Sequence, residues 1–506
     1  MTLALTRSIT LQGLRGEIVD IEVDVSHGLP SYILLGLPDA ALSESRDRIR
    51  AAITNSRRIW PNKKVTVSLS PAWLPKSGSG FDLPIALAIL AASEQLDLEK
   101  QRETLFLGEL ALDGSLKPIR GVLPMVIAAR SHGISRIVVP QSNFQEAQLI
   151  SDLEVRAFDS LAELLHWIAT GEQVAAPVLP LADINPISYL DMSDVKGQQE
   201  AKFALEVAAV GGHHMMMVGP PGTGKTMLAE RFSTIMPQLS DDEAIEVTAI
   251  HSVAGHLRDR SALSRIPPFV APHHSTTPVA MIGGGSHQIK PGAVSLAHHG
   301  ILFIDEAPEC ASGILDSLRQ PLESGTVSIS RSSGTVSYPA RFILILAANP
   351  CPCGRFFGRG RSCECSSLQV RRYLNKLSGP LLDRMDIRII VETPRRIDLA
   401  SETSEESSDQ IRARVIKARA RSQQRWSEYS VALNAQAPSE LLRSRFKAEK
   451  SAMSFLHTLL DEEKITARGF HKVLRVAWSI ADLKEIELPG VAEVERAISL
   501  RSGLRG

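Results

Sequence analysis

The stretch MMMVGPPGTGKT, residues 215–226, decides how the chain is read. Four apolar residues run into GPPGTGKT, and MLAERF behind it has a helical pattern. This is G-x-x-x-x-G-K-[ST] in the strand–loop–helix setting that the motif requires. Glycines let the backbone wrap phosphate oxygens, and the following helix N-terminus adds a favourable dipole. Gly219, Pro220, Pro221, Gly222, Thr223 and Gly224 then form an ATP phosphate cradle. Lys225 reaches the β- and γ-phosphates, and Thr226 ligates Mg²⁺.

Two further strands support this reading over a chance glycine loop. ILFIDE (301–306) is a buried apolar run that ends in two carboxylates. Asp305 is placed to hold Mg²⁺ through water. Glu306 is placed to polarise an attacking water, which predicts a hydrolase and not a passive nucleotide binder. FILILAAN (342–349) ends in an amide, and Asn349 is placed to orient that water. Plain core strands need neither Asp-Glu nor Asn at their tips.

Directly after Asn349 comes CPCGRFFGRGRSCEC (351–365), which holds four of the five cysteines. Cys351, Cys353, Cys363 and Cys365 offer four thiolates, a set that suits tetrahedral Zn²⁺. Two C-x-C pairs depart from the common C-x₂-C knuckle. Free reduced thiols are the other reading, and Cys310 reads as packing. Arg355, Arg359 and Arg361 on this loop are candidates for a phosphate backbone or a neighbouring subunit. The pairs His273–His274 and His298–His299 flank the acidic strand and read as polar core or interface, with metal ligation as the alternative.

With 506 residues, the chain has room for several domains. Lys+Arg and Asp+Glu are both 56, so a nucleic-acid partner would need local basic patches. The N-terminus lacks an apolar leader, and runs such as IALAILAA (85–92) are too short to span a bilayer. A cytoplasmic protein without membrane association is expected, where clustered cysteines more often hold metal than form disulfides.

Residues 1–170 alternate strands and helices. IVDIEVDV (18–25), KKVTVSLS (63–70) and ISRIVVP (134–140) read as strands. LPDAALSESRDRIRAAITNS between the first two carries Leu42, Ile49 and Ile53 at helical spacing. A proline-rich linker spans 171–190. A second α/β unit, 191–400, opens with SDVKGQQEAKFALEVAAVGG, a helix with a Ser/Asp start and a Gly-Gly stop. Residues 401–506 begin with an acidic, serine-rich stretch and are otherwise helical in pattern.

GPPGTGKT, ILFIDEAPE, LAANPCPCG and SGPLLDRMDI together resemble AAA+ ATPases of the ComM/YifB, Mg-chelatase-like type. The block PHHSTTPVAMIGGG…PGAVSLAHHGILFIDE (272–306) is especially similar, and the resemblance covers nearly the whole chain. It implies an α/β fold: an N-terminal Lon-protease-like α+β domain, a P-loop AAA+ core and a C-terminal helical lid. It also implies a homo-hexameric ring with shared active sites. Arg384, in LLDRMD, matches the arginine finger, and Arg468, in ITARGFHKVL, the sensor-2 arginine of the lid. Without the resemblance, Arg384 reads as a surface ion pair with Asp383 or Asp386. Relatives often carry a similar pair of Cys-x-Cys motifs, which implies a structural Zn²⁺.

VDVSHGLPSYILLGLPD, PKSGSGFDLPIALAIL and LGELALDGSLKPIRGVLPM resemble the Lon-like domain, but Gly80 falls where its nucleophilic serine belongs and Pro124 where its lysine belongs. Neither can activate a nucleophile, so proteolysis is not expected. Ser77 and Ser79 read as loop residues. SRDRIRAAITNSRRIWPNKK collects Arg46, Arg48, Arg50, Arg57, Arg58, Lys63 and Lys64 around Trp60, against Asp47 alone. A solvated helix face and a DNA-backbone contact both account for it.

GTVSISRSSGTVSYPARF (325–342) has a β-hairpin signature, with Arg331 at the predicted tip. It resembles the presensor-1 hairpin that points into the ring's pore, where Arg331 would grip a DNA phosphate. An edge hairpin with a polar tip is the plainer reading. In IRARVIKARARSQQRW (411–426), Arg414, Lys417, Arg421 and Arg425 share one helical face, read as lid surface with a DNA-facing strip as the alternative. The resemblance implies an ATPase that remodels DNA by helicase action or branch migration of recombination intermediates, including those of natural transformation. The competing reading is a magnesium-chelatase-like motor that remodels a protein partner for metal insertion.

Overall fold

The computed structural model describes residues 3–76, 78–172, 190–257, 263–285, 289–331, 334–356, 363–393 and 405–502. Ser77, Arg359, Arg361 and most of the 171–190 linker lie outside the described residues.

A five-stranded parallel sheet carries the nucleotide motif. Its order is Phe269–Val270, Ile301–Ile304, Ile343–Ala348, Met215–Val218, Ile387–Ile390. The three strands that end in the motif residues are buried at every position. Such a sheet is covered on both faces, which explains their unbroken apolar runs. Alternate residues still part company. Met215 and Met217 face a core with Phe232, Leu474 and Trp426, while Met216 and Val218 face Leu302, Leu346 and Met385.

The helix before strand Met215–Val218 is Gln199–Gly211, closed by Gly212 in the left-handed region (φ 70). Its start differs from the expected Ser/Asp start. Ser193 and Asp194 belong to a separate 3-10 turn, Met192–Asp194, capped by the Asp191 side chain. The expected hairpin is present as Thr326–Arg331 paired with Gly334–Pro339.

Upstream lies a mixed seven-stranded sheet, ordered Ser31–Leu35, Lys64–Ser70, Arg15–Ser26, Leu3–Gln12, Thr104–Phe106, Arg136–Pro140, Glu154–Phe158. It contains the three strands read from the sequence. Leu42, Ile49 and Ile53 are fully buried, but on two helices, Ala40–Ser43 and Ser45–Asn55. The apolar run 85–92 lies in the buried helix Asp82–Ala92. This part rests on the nucleotide core. Ala249 of helix Asp241–Ala254 shares a cluster with Val122 and Leu123, and Ser252 Oγ donates to buried Glu146. The turn at Gly13 sits so close to the hairpin that a Cβ there would lie 2.6 Å from Val336.

Residues 405–502 are mainly helical, the longest helices being Ser408–Trp426 and Ala467–Leu483. Ion pairs tie them to the core: Lys202 to Glu405 at 2.8 Å, and Arg414 to Glu206 at 2.7 Å, while Glu406 of the same segment holds Arg414 at 2.7 Å. Arg425 pairs with Asp482 and stacks on Trp478, 3.9 Å from its ring centre. Arg414 and Arg425 are thus spent inside the molecule, which removes two cations from the basic face of 411–426.

Asp386 knots these helices to the sheet. It accepts from Lys472 Nζ at 2.6 Å and pairs with His213 Nδ1 at 3.2 Å, while His213 Nε2 meets Ser479 Oγ at 2.8 Å. Burial alone would raise this carboxyl's pKa. The Lys472 ammonium and His213 outweigh it and hold the group far below the usual carboxylate range. Adjacent His214 accepts the Leu344 N–H at Nδ1, 3.1 Å, and burial pushes its pKa from 6.5 down to about 4. The folded chain therefore keeps His214 neutral where the unfolded chain protonates it. Stability falls as pH drops from 6.5 towards 4, by roughly 3 kcal/mol from this group. His214→Asn keeps an acceptor for Leu344 without the titration. Thermal melts across that interval should show a shallower pH slope for the variant; an unchanged slope refutes the assignment.

Candidate active site

The motif residues meet at the carboxyl ends of the strands, where the strand order reverses around Met215–Val218. Crevices of this kind bind ligands in open α/β sheets. Gly222 (φ 78) and Gly224 (φ 88) take the left-handed backbone that the loop needs. Gly219 answers a different demand, because a Cβ there would lie 2.3 Å from the Val391 carbonyl oxygen. Lys225 opens helix Lys225–Ile235 and is 8% exposed. Its Nζ donates to Gly219 O at 2.7 Å, Pro220 O at 3.0 Å and Asn349 Oδ1 at 3.2 Å. Burial pushes its pKa down, with Asp305 and Glu306 pulling the other way. Thr223 Oγ1 closes the loop onto Pro220 O at 2.9 Å.

Thr226 Oγ1 donates to Asp305 Oδ2 at 2.7 Å, so the two predicted Mg²⁺ residues touch. Hydroxyl and carboxylate oxygens are the donor set that Mg²⁺ takes beside phosphate. The loop carbonyls that hold Lys225 are exchangeable for phosphate oxygens. The residues therefore fit a magnesium nucleotide. Glu306, half exposed, sits in the left-handed region (φ 48), a conformation that concentrates at functional sites.

Two neighbours were not legible as site residues. His274 Nδ1 stands 3.5 Å from Glu306 Oε2, with its ring 4.0 Å from that of His273. Gln198 Nε2 donates to Thr223 O at 2.8 Å and Glu392 O at 3.0 Å, bracing the loop from outside. The histidine pair was the only signal for the first. For the second there was none, since KGQQEAK reads as an ordinary helix start. The other pair, His298–His299, meets Glu246 at 2.9 and 3.1 Å. His298 Nδ1 accepts the Arg341 N–H, so Nε2 carries the proton and donates to Glu246. That tautomer leaves His298 no lone pair for a metal.

Arg384 and Arg468 find their partners outside the P-loop. Arg384 pairs with Glu323 and donates to Pro380 O at 2.7 Å, while its Nε is buried without a partner. Burial, with Arg319 and Arg468 nearby, pushes its pKa down. Arg468 pairs with Asp383 at 2.8 Å. The ion pair read for Arg384 exists, but with Glu323 in place of Asp383 or Asp386. Arg331 ends its strand opposite Gly334, one position short of the tip, and is exposed. In the N-terminal basic run, Arg48 is committed to buried Asp82 at 2.8 Å, whereas Arg46, Arg50, Arg57, Lys63 and Lys64 are exposed.

The four cysteines converge. Cys351 Sγ lies 3.4 Å from Cys353 Sγ and 3.7 Å from Cys363 Sγ; Cys353 and Cys363 are 3.6 Å apart. The Cys365 sulfur lies within 4.8 Å of the others. Tetrahedral Zn–S bonds of about 2.3 Å place sulfurs roughly 3.8 Å apart, whereas a disulfide needs about 2.05 Å. The cluster has the dimensions of a thiolate metal site, and Phe356 N–H points at Cys351 Sγ at 3.3 Å, as such sites favour.

A P-loop on the fourth strand of the sheet, an acidic pair two strands away and an amide on the strand between define a P-loop ATPase of the AAA+ class. Three family models divide most of the chain: "Subunit ChlI of Mg-chelatase" over 21–143, "Magnesium chelatase, subunit ChlI" over 191–399, and "Magnesium chelatase, subunit ChlI C-terminal" over 405–501. An uncharacterized protein of Mycobacterium tuberculosis is 48% identical over 501 residues, 99% of each chain. Competence protein ComM of Haemophilus influenzae is 40% identical over 97% of each chain. YifB of Escherichia coli is 38% identical over 99% of this chain and 97% of its own. The chain belongs to the ComM/YifB type of the Mg-chelatase-like AAA+ ATPases. None of its described helices is long and apolar enough to cross a membrane.

Gly219→Ala tests the cradle, because its methyl group must displace Val391 or the loop. Binding of a fluorescent ATP analogue should weaken at least about tenfold, or 1.4 kcal/mol, with the circular dichroism spectrum unchanged. Wild-type affinity would show that the loop tolerates the shift.

Proposed function

We propose that this ATPase works as a homo-hexameric ring that remodels branched DNA, by helicase action or branch migration, in recombination that includes natural transformation. The observation that carries the reading is one covalent path. The hairpin with Arg331 runs through Ala340–Phe342 into Ile343–Ala348 and ends at Asn349, which touches Lys225. A change at the nucleotide can therefore reach a phosphate-gripping arginine along a single strand. The printed name of the Haemophilus relative, a competence protein, fits a role with incoming DNA.

Mg²⁺ would supply positive charge against the phosphates. Thr226, with Asp305 through water, would hold it, Lys225 would hold the β- and γ-phosphate oxygens, and the backbone of 219–224 would cradle the rest. Asn349 orients the attacking water. A Glu306 carboxylate oxygen takes that water's proton, and His274 beside it steadies the carboxylate. Arg384 serves the next subunit's site by exchanging Glu323 for the γ-phosphate, with Arg468 as sensor 2 beside it. An arginine supplied in this way is worth roughly 10³–10⁵ in turnover.

Residues 1–170 form a Lon-protease-like, non-proteolytic domain: Lys76, the lysine of PKSGSGFD, is buried with its Nζ on the Leu69 and Pro71 carbonyls, and the Ser79 hydroxyl donates to Glu109. Residues 171–190 are a linker, 191–400 the AAA+ core and 401–506 the helical lid. The four cysteines hold a structural Zn²⁺, and the protein acts in the cytoplasm.

ATPase rate with and without forked and four-way DNA, at low and moderate salt, tests the main claim. Strong stimulation that fades as salt rises is expected, with Arg331→Ala losing it but keeping the DNA-free rate. No stimulation by any DNA would favour remodelling of a protein partner, as in metal insertion. Glu306→Gln should bind ATP yet hydrolyse it about 10²–10⁴ more slowly. Mixing Arg384→Ala with Lys225→Ala subunits should restore turnover above either alone; additive, dead mixtures would place Arg384 outside the neighbour's site.

A further inference from the structure

The four-cysteine turn touches the P-loop. We infer that metal bound there braces the nucleotide site, so that metal and nucleotide occupancy are coupled; the inference rests on the zinc and ATPase readings above. Three links carry it. Cys351, fully buried, stands two residues after Asn349, whose Oδ1 accepts from Lys225. Gly354, turned by φ 74 and bonded back to Cys351 O at 3.0 Å, lies against Pro221 of GPPGTGKT, where a Cβ would come within 2.5 Å of the ring. The second pair, Cys363 and Cys365, leads into helix Ser367–Leu374, capped by Ser366, whose buried Tyr373 lies beside the backbone of Asn349.

The two cysteine pairs thus connect to the phosphate loop from two sides, at Pro221 and at Asn349. Beside the exposed Arg355–Glu364 ion pair at 3.9 Å, which is worth little in water, what joins the pairs is the sulfur cluster. Three sulfurs lie 3.4–3.7 Å apart and the fourth within 4.8 Å of them; as thiolates they repel one another unless a cation sits among them. Metal removal separates the pairs, releases the Gly354 turn from Pro221 and loosens Asn349 from Lys225. Coupling of this kind is reciprocal: nucleotide that orders the loop must raise metal affinity by the same factor.

The experiment uses the full chain. Zinc content is measured by elemental mass spectrometry, zinc affinity by competition with a chromophoric chelator, and binding of fluorescent ADP with Mg²⁺ by anisotropy. About one zinc per chain is expected. Stripped protein, or Cys363→Ser, should bind ADP within the range of about 5- to 150-fold more weakly that is typical of coupled sites, and ADP should raise zinc affinity by a matching factor. Gly354→Ala, which leaves the sulfurs untouched, should keep its zinc and still bind ADP more weakly. Should the cysteine variant fail to fold, Gly354→Ala and the ADP effect on zinc affinity decide the matter. Metal-free wild type with four reactive thiols would overturn the metal site. Unchanged ADP affinity after zinc removal would overturn the brace alone. Wild type that holds zinc but binds no ADP would overturn the ATPase reading and the brace with it, whereas Lys225→Ala should lose ADP and keep zinc.

Discussion

Met215–Val218 is hydrogen-bonded along both edges, to Ile343–Ala348 on one side and Ile387–Ile390 on the other. That shared strand is the constraint on which the rest depends. It fixes the heights at which neighbouring chains leave the sheet, so Gly219, Asn349 and Val391 emerge side by side. Gly219 N–H bonds Ala348 O at 3.2 Å, and Val391 N–H bonds Val218 O at 2.8 Å. The loop that must admit phosphate is thereby pinned at its root, and Gln198 at Thr223 and Gly354 at Pro221 steady it further along. The site's precision comes from backbone register, and its side chains inherit it.

Charge organises the next layer. The helical C-terminal region contributes Trp426 and Leu474 to the core, yet its orientation is set by ion pairs such as Lys202–Glu405 and by the Asp386 knot. Breaking one partner of a buried pair is costly, because it strands the other charge. Asp386 lies two residues from Arg384, and Asp383, the partner of Arg468, lies on Arg384's other flank. The turn bearing Arg384 is thus clamped on both flanks, while Glu323, two-thirds exposed, holds Arg384 from the solvent side.

The chemistry was legible because it sits in contiguous motifs: GPPGTGKT, ILFIDE and the hairpin each name their own local structure. Strand Leu3–Gln12 was not, since its pattern is inverted. Leu3 and Leu5 are exposed, whereas Thr6, Ser8 and Thr10 are buried, each hydroxyl donating to a backbone carbonyl of another segment. Polar residues that bury themselves by such bonds leave no apolar stripe to read. Gln198, the Glu323–Arg384 pair and the Gly354–Pro221 contact escaped for another reason. Each joins positions that only the folded chain brings together, and none carries a residue type that announces its partner.

The seat of the N-terminal sheet on the hairpin bears on how the molecule is divided. Val336 and Tyr338 are covered from the Gly13 turn, and Ala249 shares its core with the helix at 122–131. A chain cut before residue 191 would uncover these apolar side chains on the face beside the hairpin. The two parts have separate cores but share a wall, so the shortened protein would meet water with a sticky surface of its own making. Its solubility, and any activity measured on it, would report that wound as much as the loss of a domain.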